Sequence, residues 1–179
     1  MSLFNFLTKT YGYNKPILAN EVEYENYPKQ QIYKELSELC KAKKIVRLER
    51  GVYFIPKKTK FGTLIFNTLT AIEKKYICDN EEIFGYYSGT YMQYQLGLTK
   101  VKPKTINIYT NIEKKRSRTV TIAGQRISLR SARTKIDKHN APVLCFLELM
   151  NGIDTETLDE YKRKLIADYI TDNRITQRQ

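Results

Sequence analysis

Lysine and arginine side chains carry most of the chemistry that this sequence offers, because such cations bind the phosphates of nucleic acids. One set lies on and just after a helix that Pro28 is predicted to begin. We expect this helix to enter the major groove of DNA, where glutamine pairs with adenine and lysine with guanine or phosphate. The predicted DNA-binding residues are Lys29, Gln30, Tyr33, Lys34, Ser37, Lys41, Arg47, Arg50, Lys57 and Lys58.

A second basic segment spans residues 100–138, which hold twelve lysines and arginines against two acidic residues. Alternation along a strand predicts that Arg126 and Arg130 share one face, opposite Ile127 and Leu129. Two interpretations stay open: the surface binds DNA, RNA or an acidic partner, or its charge keeps an edge strand solvated. The candidate residues of this possible polyanion surface are Lys114, Lys115, Arg116, Arg118, Arg126, Arg130 and Arg133.

The charge of the whole chain supports a polyanionic partner. Its 179 residues include 31 lysines and arginines against 19 acidic residues, which gives a formal charge of +12. A surplus of this size favours nucleic acid over a neutral ligand, although it says nothing about the fold. Residues 61–99 and 139–179 are each slightly acidic, so the positive charge is concentrated in two separate regions.

Residues of the kinds that catalyse reactions are sparse, and we predict no enzymatic activity, no cofactor and no metal site. His139 is the only histidine, so a metal centre or catalytic triad built on histidine lacks partners. Neither of the glycine-rich motifs of nucleotide-binding proteins, G-x-x-x-x-G-K-[ST] and G-x-G-x-x-G, is present. Asp79, Glu81 and Glu82 are a weak candidate for a magnesium-dependent nuclease, because they are loop-like and no strand with Glu-x-Lys follows them.

The cysteines and the apolar residues indicate the compartment. Cys40, Cys78 and Cys145 are odd in number and far apart, which argues against a disulfide framework and a zinc ribbon. No apolar run approaches the roughly 18 residues of a transmembrane helix. The N-terminus lacks the basic region and cleavage site of a signal peptide. We therefore expect a reduced cytoplasmic protein without a membrane partner.

Residues 1–60 have the element order of a winged helix-turn-helix DNA-binding domain. Helical spacing of apolar residues predicts a first helix, Pro16 fits the first turn of a short second helix, and Pro28 begins a third. The β-prone runs 45–48 and 52–55 then predict a hairpin, which would be the wing.

Residues 61–179 predict a second domain of the α+β class with a mixed or antiparallel sheet. Its predicted helices are 63–77, 90–96, 142–150 and 155–169, and its predicted strands are 83–87, 105–109, 119–122 and 126–130. Ala123, Gly124 and Gln125 join the last two strands as a hairpin. The whole chain is therefore predicted to be α+β, with an N-terminal winged helix-turn-helix.

Two segments of the chain resemble AbiEi-type antitoxins, which belong to the bacterial type IV (AbiE) toxin–antitoxin systems. The run from Ile45 to Pro56, with its Gly-Val-Tyr, is similar to the wing of that family. The second segment is similar to the run that begins the family's second domain, and it consists of Tyr87-Ser88-Gly89, Leu96-Gly97-Leu98-Thr99 and Pro103. The resemblance covers about residues 3–153.

The resemblance implies a non-enzymatic transcriptional repressor and antitoxin of a phage-defence system. Its winged helix would bind double-stranded DNA at repeats in its own promoter. Its second domain, the antitoxin-like domain, would support a dimer or cooperative assembly on DNA and counter a nucleotidyltransferase-like toxin without a stable complex. The residues leave one alternative open, which is a protein- or RNA-interaction module with a winged helix and no operator specificity.

Overall fold

The computed structural model describes residues 2–176, and its fold is of the α+β class, as the sequence predicts. The chain divides into two compact units. Unit 1 ends at Lys75 and unit 2 begins at Tyr76, later than the boundary expected at residue 60. No helix in the described range has the length and apolar character needed to cross a lipid bilayer.

Unit 1 combines helices with two small antiparallel sheets. Its helices are α1 (Leu3–Tyr11), α2 (Lys29–Lys41) and α3 (Thr68–Tyr76), the last of which ends at the border with unit 2. Its strands are β1 (Ile17–Leu18), β2 (Val46–Glu49), β3 (Val52–Phe54), β4 (Lys58–Thr59) and β5 (Gly62–Thr63). The first three strands form a sheet in the order β1-β3-β2, and β4 pairs with β5.

Helices α1 and α2 form where the sequence predicts them. Ser2 caps α1 by accepting a hydrogen bond from the amide of Asn5, and Gly12 ends the helix at a positive φ of 75°. In α2, Ile32 and Leu36 are buried in a core that also contains residues of α1 and β1. Burying each such side chain contributes roughly 1.5–3 kcal/mol, which anchors one face of α2 and leaves the other to solvent.

The second helix predicted for this unit, beginning at Pro16, is wrong. Ile17 and Leu18 instead form β1, in which Ile17 pairs with Tyr53 and Leu18 with Val52. An isolated helix this short has little stability of its own, whereas pairing with β3 satisfies the backbone and buries both side chains. Unit 1 thus has the first and third predicted helices and the hairpin, with turns in place of the second helix.

Helix α3 begins five residues later than the predicted start at residue 63, because β4 and β5 form a small hairpin first. As a consequence Leu64 and Ile65, which precede α3, are exposed. Phe66 and Ala71 pack with the sheet residues Leu18, Leu48 and Val52 in a second apolar cluster. This packing explains why the helix through Lys75 belongs to unit 1.

Unit 2 is built on a four-stranded mixed sheet. The strands of unit 2 are β6 (Cys78–Asp79), β7 (Glu82–Ile83), β8 (Gly85–Ser88), β9 (Thr105–Thr110), β10 (Ser117–Ile122) and β11 (Gln125–Ser131). The last four of these strands form the mixed sheet. The helices of unit 2 are α4 (Gly89–Gln95), α5 (Ala141–Asn151), a 3₁₀ turn (Thr155–Thr157) and α6 (Glu160–Asp172). The sheet order is β10-β11-β9-β8, in which β9 and β11 run parallel and the other neighbours antiparallel.

The two faces of this sheet differ sharply in polarity because side chains alternate along each strand. One face is largely apolar, and its residues Ile106, Ile108, Ile127 and Leu129 are fully buried. The other face is covered by α5 at the β8 side, where Tyr86 is part of the apolar cluster around that helix. Toward β10 and β11 this second face is polar and open to solvent.

Candidate nucleic-acid interface

The outer face of α2 carries the side chains that the sequence assigned to DNA contact. The six residues predicted for this helix are all exposed, and they are Lys29, Gln30, Tyr33, Lys34, Ser37 and Lys41. They are exposed because Ile32 and Leu36 bring the opposite side of the helix into the core. The helix therefore presents a continuous polar surface about 13 residues long.

Part of this surface faces the β2–β3 hairpin across a concavity of about 600 Å³, here called the α2–hairpin groove. The groove is lined by Leu18, Asn20, Tyr33, Ser37, Arg47, Arg50, Gly51, Tyr53 and Lys75. Four of these residues come from the sequence prediction, two from α2 (Tyr33, Ser37) and two from the hairpin (Arg47, Arg50). The fold thus brings two predicted sets of polar residues into one site.

Hydrogen bonds fix the hairpin side of the groove. The Arg47 guanidinium donates from Nε to the backbone carbonyl of Glu49 at 3.2 Å. Lys75, from α3, forms an ion pair with the Glu49 carboxylate and donates to the carbonyl of Arg50 at 3.3 Å. Because Lys75 neutralises the acidic residue of the hairpin, the groove keeps its positive character. Sequence reasoning missed Lys75, which lies 25 residues beyond the hairpin.

Lys29 has hydrogen-bond partners within unit 1 that the sequence did not predict. Its ammonium donates two hydrogen bonds of 2.9 Å to the backbone carbonyls of Asn20 and Val22. Those carbonyls belong to the turns that replace the second helix, where no helical amides are present to pair with them. Lys29 therefore stabilises this turn, and its charge is used within unit 1.

Lys41 lies near the C-terminal end of α2 and pairs with Glu38 of the same helix at 2.8 Å. This hydrogen bond and the accompanying charge attraction lower the pKa of the Glu38 carboxyl. Both side chains are well exposed, so the pair is screened by water and by salt. Among the DNA-binding residues predicted on α2, Lys41 is the one whose charge is most directly balanced by an acidic neighbour.

Lys57 and Lys58 lie away from the α2–hairpin groove. They line a separate concavity of about 510 Å³ together with Lys43 and Lys44. Lys44 also lies 5.5 Å from the centre of the Phe4 ring, a cation–π contact. Four lysines around one concavity form a second basic surface in unit 1, suited to backbone phosphates more than to base edges.

In unit 2 the basic face of β11 has the predicted alternation. Arg126 and Arg130 are exposed, while Ile127 and Leu129 are fully buried. Of the seven candidate residues, Arg116, Arg130 and Arg133 line one concavity of about 660 Å³. Lys114 and Lys115 are exposed in the turn before β10, and Arg126 lies at the other end of β11.

Arg118 is removed from this candidate surface by the structure. It lies on the face of β10 that carries Val120 and Ile122, opposite to Ser117. Its guanidinium pairs at 2.7 Å with Glu113, whose side chain is nearly buried. Burial raises the pKa of Glu113, but hydrogen bonds from the Lys115 amide and from Arg118 outweigh this effect and lower it overall. The alternation along β10 could have revealed this from the sequence.

The residues considered for catalysis are dispersed or structural. His139 is exposed in a loop, where its backbone amide donates to the Asp137 carboxylate at 2.8 Å. The Cys145 thiol donates to the carbonyl of Tyr87, and burial raises its pKa to about 11. Asp79 and Glu82 oppose each other in the small β6–β7 hairpin. Within residues 2–176, no group of three or more potential ligand side chains could hold a metal ion.

Comparisons of the chain with protein families, with curated proteins and with solved structures found no match.

Proposed function

We propose that unit 1 binds double-stranded DNA, with α2 in the major groove and the β2–β3 hairpin on the flanking backbone. The observation that carries this proposal is the α2–hairpin groove, where Tyr33 and Ser37 of the helix face Arg47 and Arg50 of the hairpin. A helix with one polar face fits the major groove, which is about 12 Å wide. Arg47 and Arg50 of the hairpin would then contact the phosphates that border the major groove.

The helix residues divide by the kind of contact they would make. Gln30 lies in the first turn of α2, the part of a recognition helix that reaches base edges. Its amide can donate to and accept from adenine in a bidentate pair. Lys34, one turn further along, would bind phosphate and supply affinity that does not depend on sequence.

The turn between β1 and α2 is compatible with this arrangement. In a complete helix-turn-helix a helix at this place crosses the DNA backbone. Here the turn is held by Lys29, and Glu21, one of the three glutamates in this segment, pairs with Lys74 at 3.0 Å. With that carboxylate neutralised, the turn adds less repulsion toward a phosphate than its sequence suggests.

We further propose that the chain is a repressor of its own operon and an antitoxin of the AbiE kind. This step rests on the resemblance of its wing and of its Ser-Gly…Gly-Leu-Thr run to AbiEi-type antitoxins. In that role the protein acts in the cytoplasm, assembles as a dimer or cooperatively on promoter repeats, and counters a nucleotidyltransferase-like toxin without binding it stably. No catalytic step is assigned to it.

The decisive experiment measures binding of the full chain to its own upstream DNA and to a scrambled duplex of equal length. At physiological salt we expect a preference of about 10³-fold or more for the upstream DNA. Substitution Gln30→Ala should relax the preference at one base pair, whereas Lys9→Ala, an exposed lysine of α1, should leave binding unchanged. Equal affinity for both duplexes would contradict the repressor role and favour an interaction module without operator specificity.

A companion experiment tests the antitoxin role separately. Co-expression with the product of a neighbouring nucleotidyltransferase-like gene should restore growth that this product alone inhibits. If growth stays inhibited while operator binding is intact, the antitoxin assignment is contradicted and only the repressor role remains.

A further inference from the structure

One row of side chains crosses the whole sheet of unit 2 and joins two concavities. Ser117 of β10 pairs with Arg130 of β11, Arg130 with Tyr109 of β9, and Tyr109 with Tyr86 of β8. Strands lie about 4.8 Å apart, so this row is about 14 Å long. It begins at a basic surface and ends in an aromatic one, on the same face of the sheet.

The basic end of the row is a cradle of arginines and hydroxyl groups, here called the arginine cradle. It encloses about 660 Å³ and includes Arg116, Arg130, Arg133, Ser117, Ser128 and Ser131. No acidic side chain lines it. Among the described residues, no carboxylate forms an ion pair with any of the three arginines. Guanidinium groups bind phosphate through paired hydrogen bonds, and serine hydroxyls can donate to the remaining phosphate oxygens.

Arg130 is oriented before any ligand arrives. Its Nη1 donates to the hydroxyl of Tyr109 at 3.4 Å, and its Cζ lies 5.9 Å from the centre of the same ring. Tyr109 is in turn stacked on Tyr86, with ring centres 5.4 Å apart and planes 22° apart. A guanidinium held in this way loses less conformational freedom when it binds an anion.

The aromatic end of the row is a recess of about 280 Å³, here called the tyrosine recess. It shares Tyr109 and Arg133 with the arginine cradle, so the two concavities are contiguous. Leu144 and Leu147 of α5 supply apolar surface, and Leu147 is 52% exposed. Together with Tyr86 and Tyr109, these leucines give the recess an apolar wall.

The polar groups of the recess complement the edge of a nucleobase. Asn151 and Glu148 of α5 line it, together with Thr134. An amide and a carboxylate can accept from, and the amide can donate to, the ring and exocyclic nitrogens of a base. An acidic peptide offers carboxylates for the arginines, but it has no flat group with apolar faces and polar edges for the recess.

We propose that the arginine cradle and the tyrosine recess together bind one nucleotide, with the phosphate on the arginines and the base in the recess. The nucleotide is either a free nucleoside monophosphate or one unit of a single-stranded nucleic acid, which share this chemistry. This site lies wholly in unit 2 and is separate from the DNA-binding surface proposed for unit 1. It goes beyond that function, since neither depends on the other.

The test is calorimetric titration of the full chain with AMP, GMP, CMP and UMP, with adenosine and inorganic phosphate, and with short single-stranded oligoribonucleotides. At least one nucleotide should bind about tenfold or more tightly than adenosine or phosphate, because only a nucleotide fills both concavities. Binding by the monophosphate identifies a free nucleotide as the ligand. Binding by oligoribonucleotides alone identifies a strand.

Matched variants locate the binding. The double variant Arg116→Gln/Arg133→Gln should weaken it by about tenfold or more. The control Arg126→Gln removes one positive charge on the same sheet face outside the cradle, and it should stay within about twofold of wild type because salt screens distant charges. Arg47→Gln/Arg50→Gln in unit 1 should also leave nucleotide binding unchanged.

Several results would overturn the proposal. These are absence of binding by every nucleotide and oligoribonucleotide, equal affinity for phosphate and nucleotides, or an equal loss in Arg126→Gln and in the double variant. Binding of an acidic peptide under conditions where no nucleotide binds would also overturn it, and would assign the cradle to a protein partner.

Discussion

Lys29 and Lys34 lie on the same helix, five residues apart, and use their charges in different ways. The Lys29 ammonium is held by the carbonyls of Asn20 and Val22, each at 2.9 Å. Lys34 is exposed on the face of α2 that we place in the DNA groove. Residue type alone therefore does not separate a lysine that stabilises the fold from one that contacts a ligand.

The difference between these lysines is measurable with one pair of variants. Lys34→Ala should weaken binding to every duplex alike and reduce the slope of log affinity against log salt by about one, since one phosphate contact is lost. Its free energy of unfolding should stay the same. Lys29→Met should instead lower the free energy of unfolding by about 1 kcal/mol, because two carbonyls lose their donor.

Urea unfolding and fluorescence anisotropy over a range of salt concentrations give both quantities. A Lys29→Met variant as stable as wild type would show that the two hydrogen bonds do not hold the turn. A salt slope unchanged in Lys34→Ala would remove Lys34 from the interface.

Glu113 provides a residue-scale prediction with a defined pH dependence. Its pKa is lowered in the folded protein, so the unfolded chain binds more protons and stability rises with pH in this range. The contribution is complete above the unfolded pKa of about 4.3 and is lost as pH falls through the folded value. Glu113→Gln should therefore cost about 1–3 kcal/mol at pH 7.

The pH dependence distinguishes this ion pair from a general packing defect. The difference in unfolding free energy between wild type and Glu113→Gln should shrink as pH falls from 5 toward 3, measured by urea unfolding. If this difference stays constant over the range, the charge of Glu113 and its pair with Arg118 contribute nothing to the free energy of unfolding. Glu156→Gln, an exposed carboxylate of the 3₁₀ turn, is the control.

At the scale of elements, the β10–β11 hairpin depends on two residues with positive φ. Ala123 and Gly124 connect the strands with φ values of 46° and 82°, as a type I′ turn requires. Glycine adopts this conformation freely, whereas alanine is strained in it. A Cβ at Gly124 would meet no atom within 4 Å, so any effect of a substitution there comes from the backbone alone.

Paired substitutions in this turn should act in opposite directions. Gly124→Ala should lower the free energy of unfolding by about 1 kcal/mol, and Ala123→Asn should raise it by about 0.5 kcal/mol, because asparagine tolerates the left-handed region better than alanine. Thermal unfolding monitored by circular dichroism measures both. Equal stability of all three proteins would mean that the turn relaxes to another conformation.

The element scale also shows where local sequence is informative. Helix α2 and strand β11 follow their predicted patterns because each buries one regular stripe of apolar side chains. The pattern around Ile17 and Leu18 fits a short helix or a short strand equally well. Pairing with β3, in which the partners of Leu18 and Ile17 lie 34 and 36 positions later, makes this segment a strand.

At the scale of the whole molecule, the formal charge of +12 belongs to distinct surfaces with distinct predicted ligands. In unit 1 the basic residues line the α2–hairpin groove and the lysine concavity. In unit 2 they line the arginine cradle. If the two units bind different ligands, their charges should contribute separately to affinity.

Neutralisation of each surface in the full chain tests this separation. Arg47→Gln/Arg50→Gln should weaken operator binding and reduce its salt slope by about two. The triple variant Arg116→Gln/Arg130→Gln/Arg133→Gln removes more charge but should leave operator affinity within about threefold, with little change in slope. A slope reduced by about three in the triple variant would show that unit 2 also lies on DNA.

The sequence by itself determined the α+β class, most helices and strands, and the concentration of charge in two segments, because each follows from local periodicity or composition. It also placed Gln30 and Lys34 on the exposed face of α2. Only the tertiary structure decided which predicted residues meet. Arg50 joins Tyr33 in one groove while Lys58 does not, and Arg118 is neutralised by Glu113. The grouping of Arg50 with Tyr33 depends on contacts between side chains distant in sequence, which no local pattern encodes.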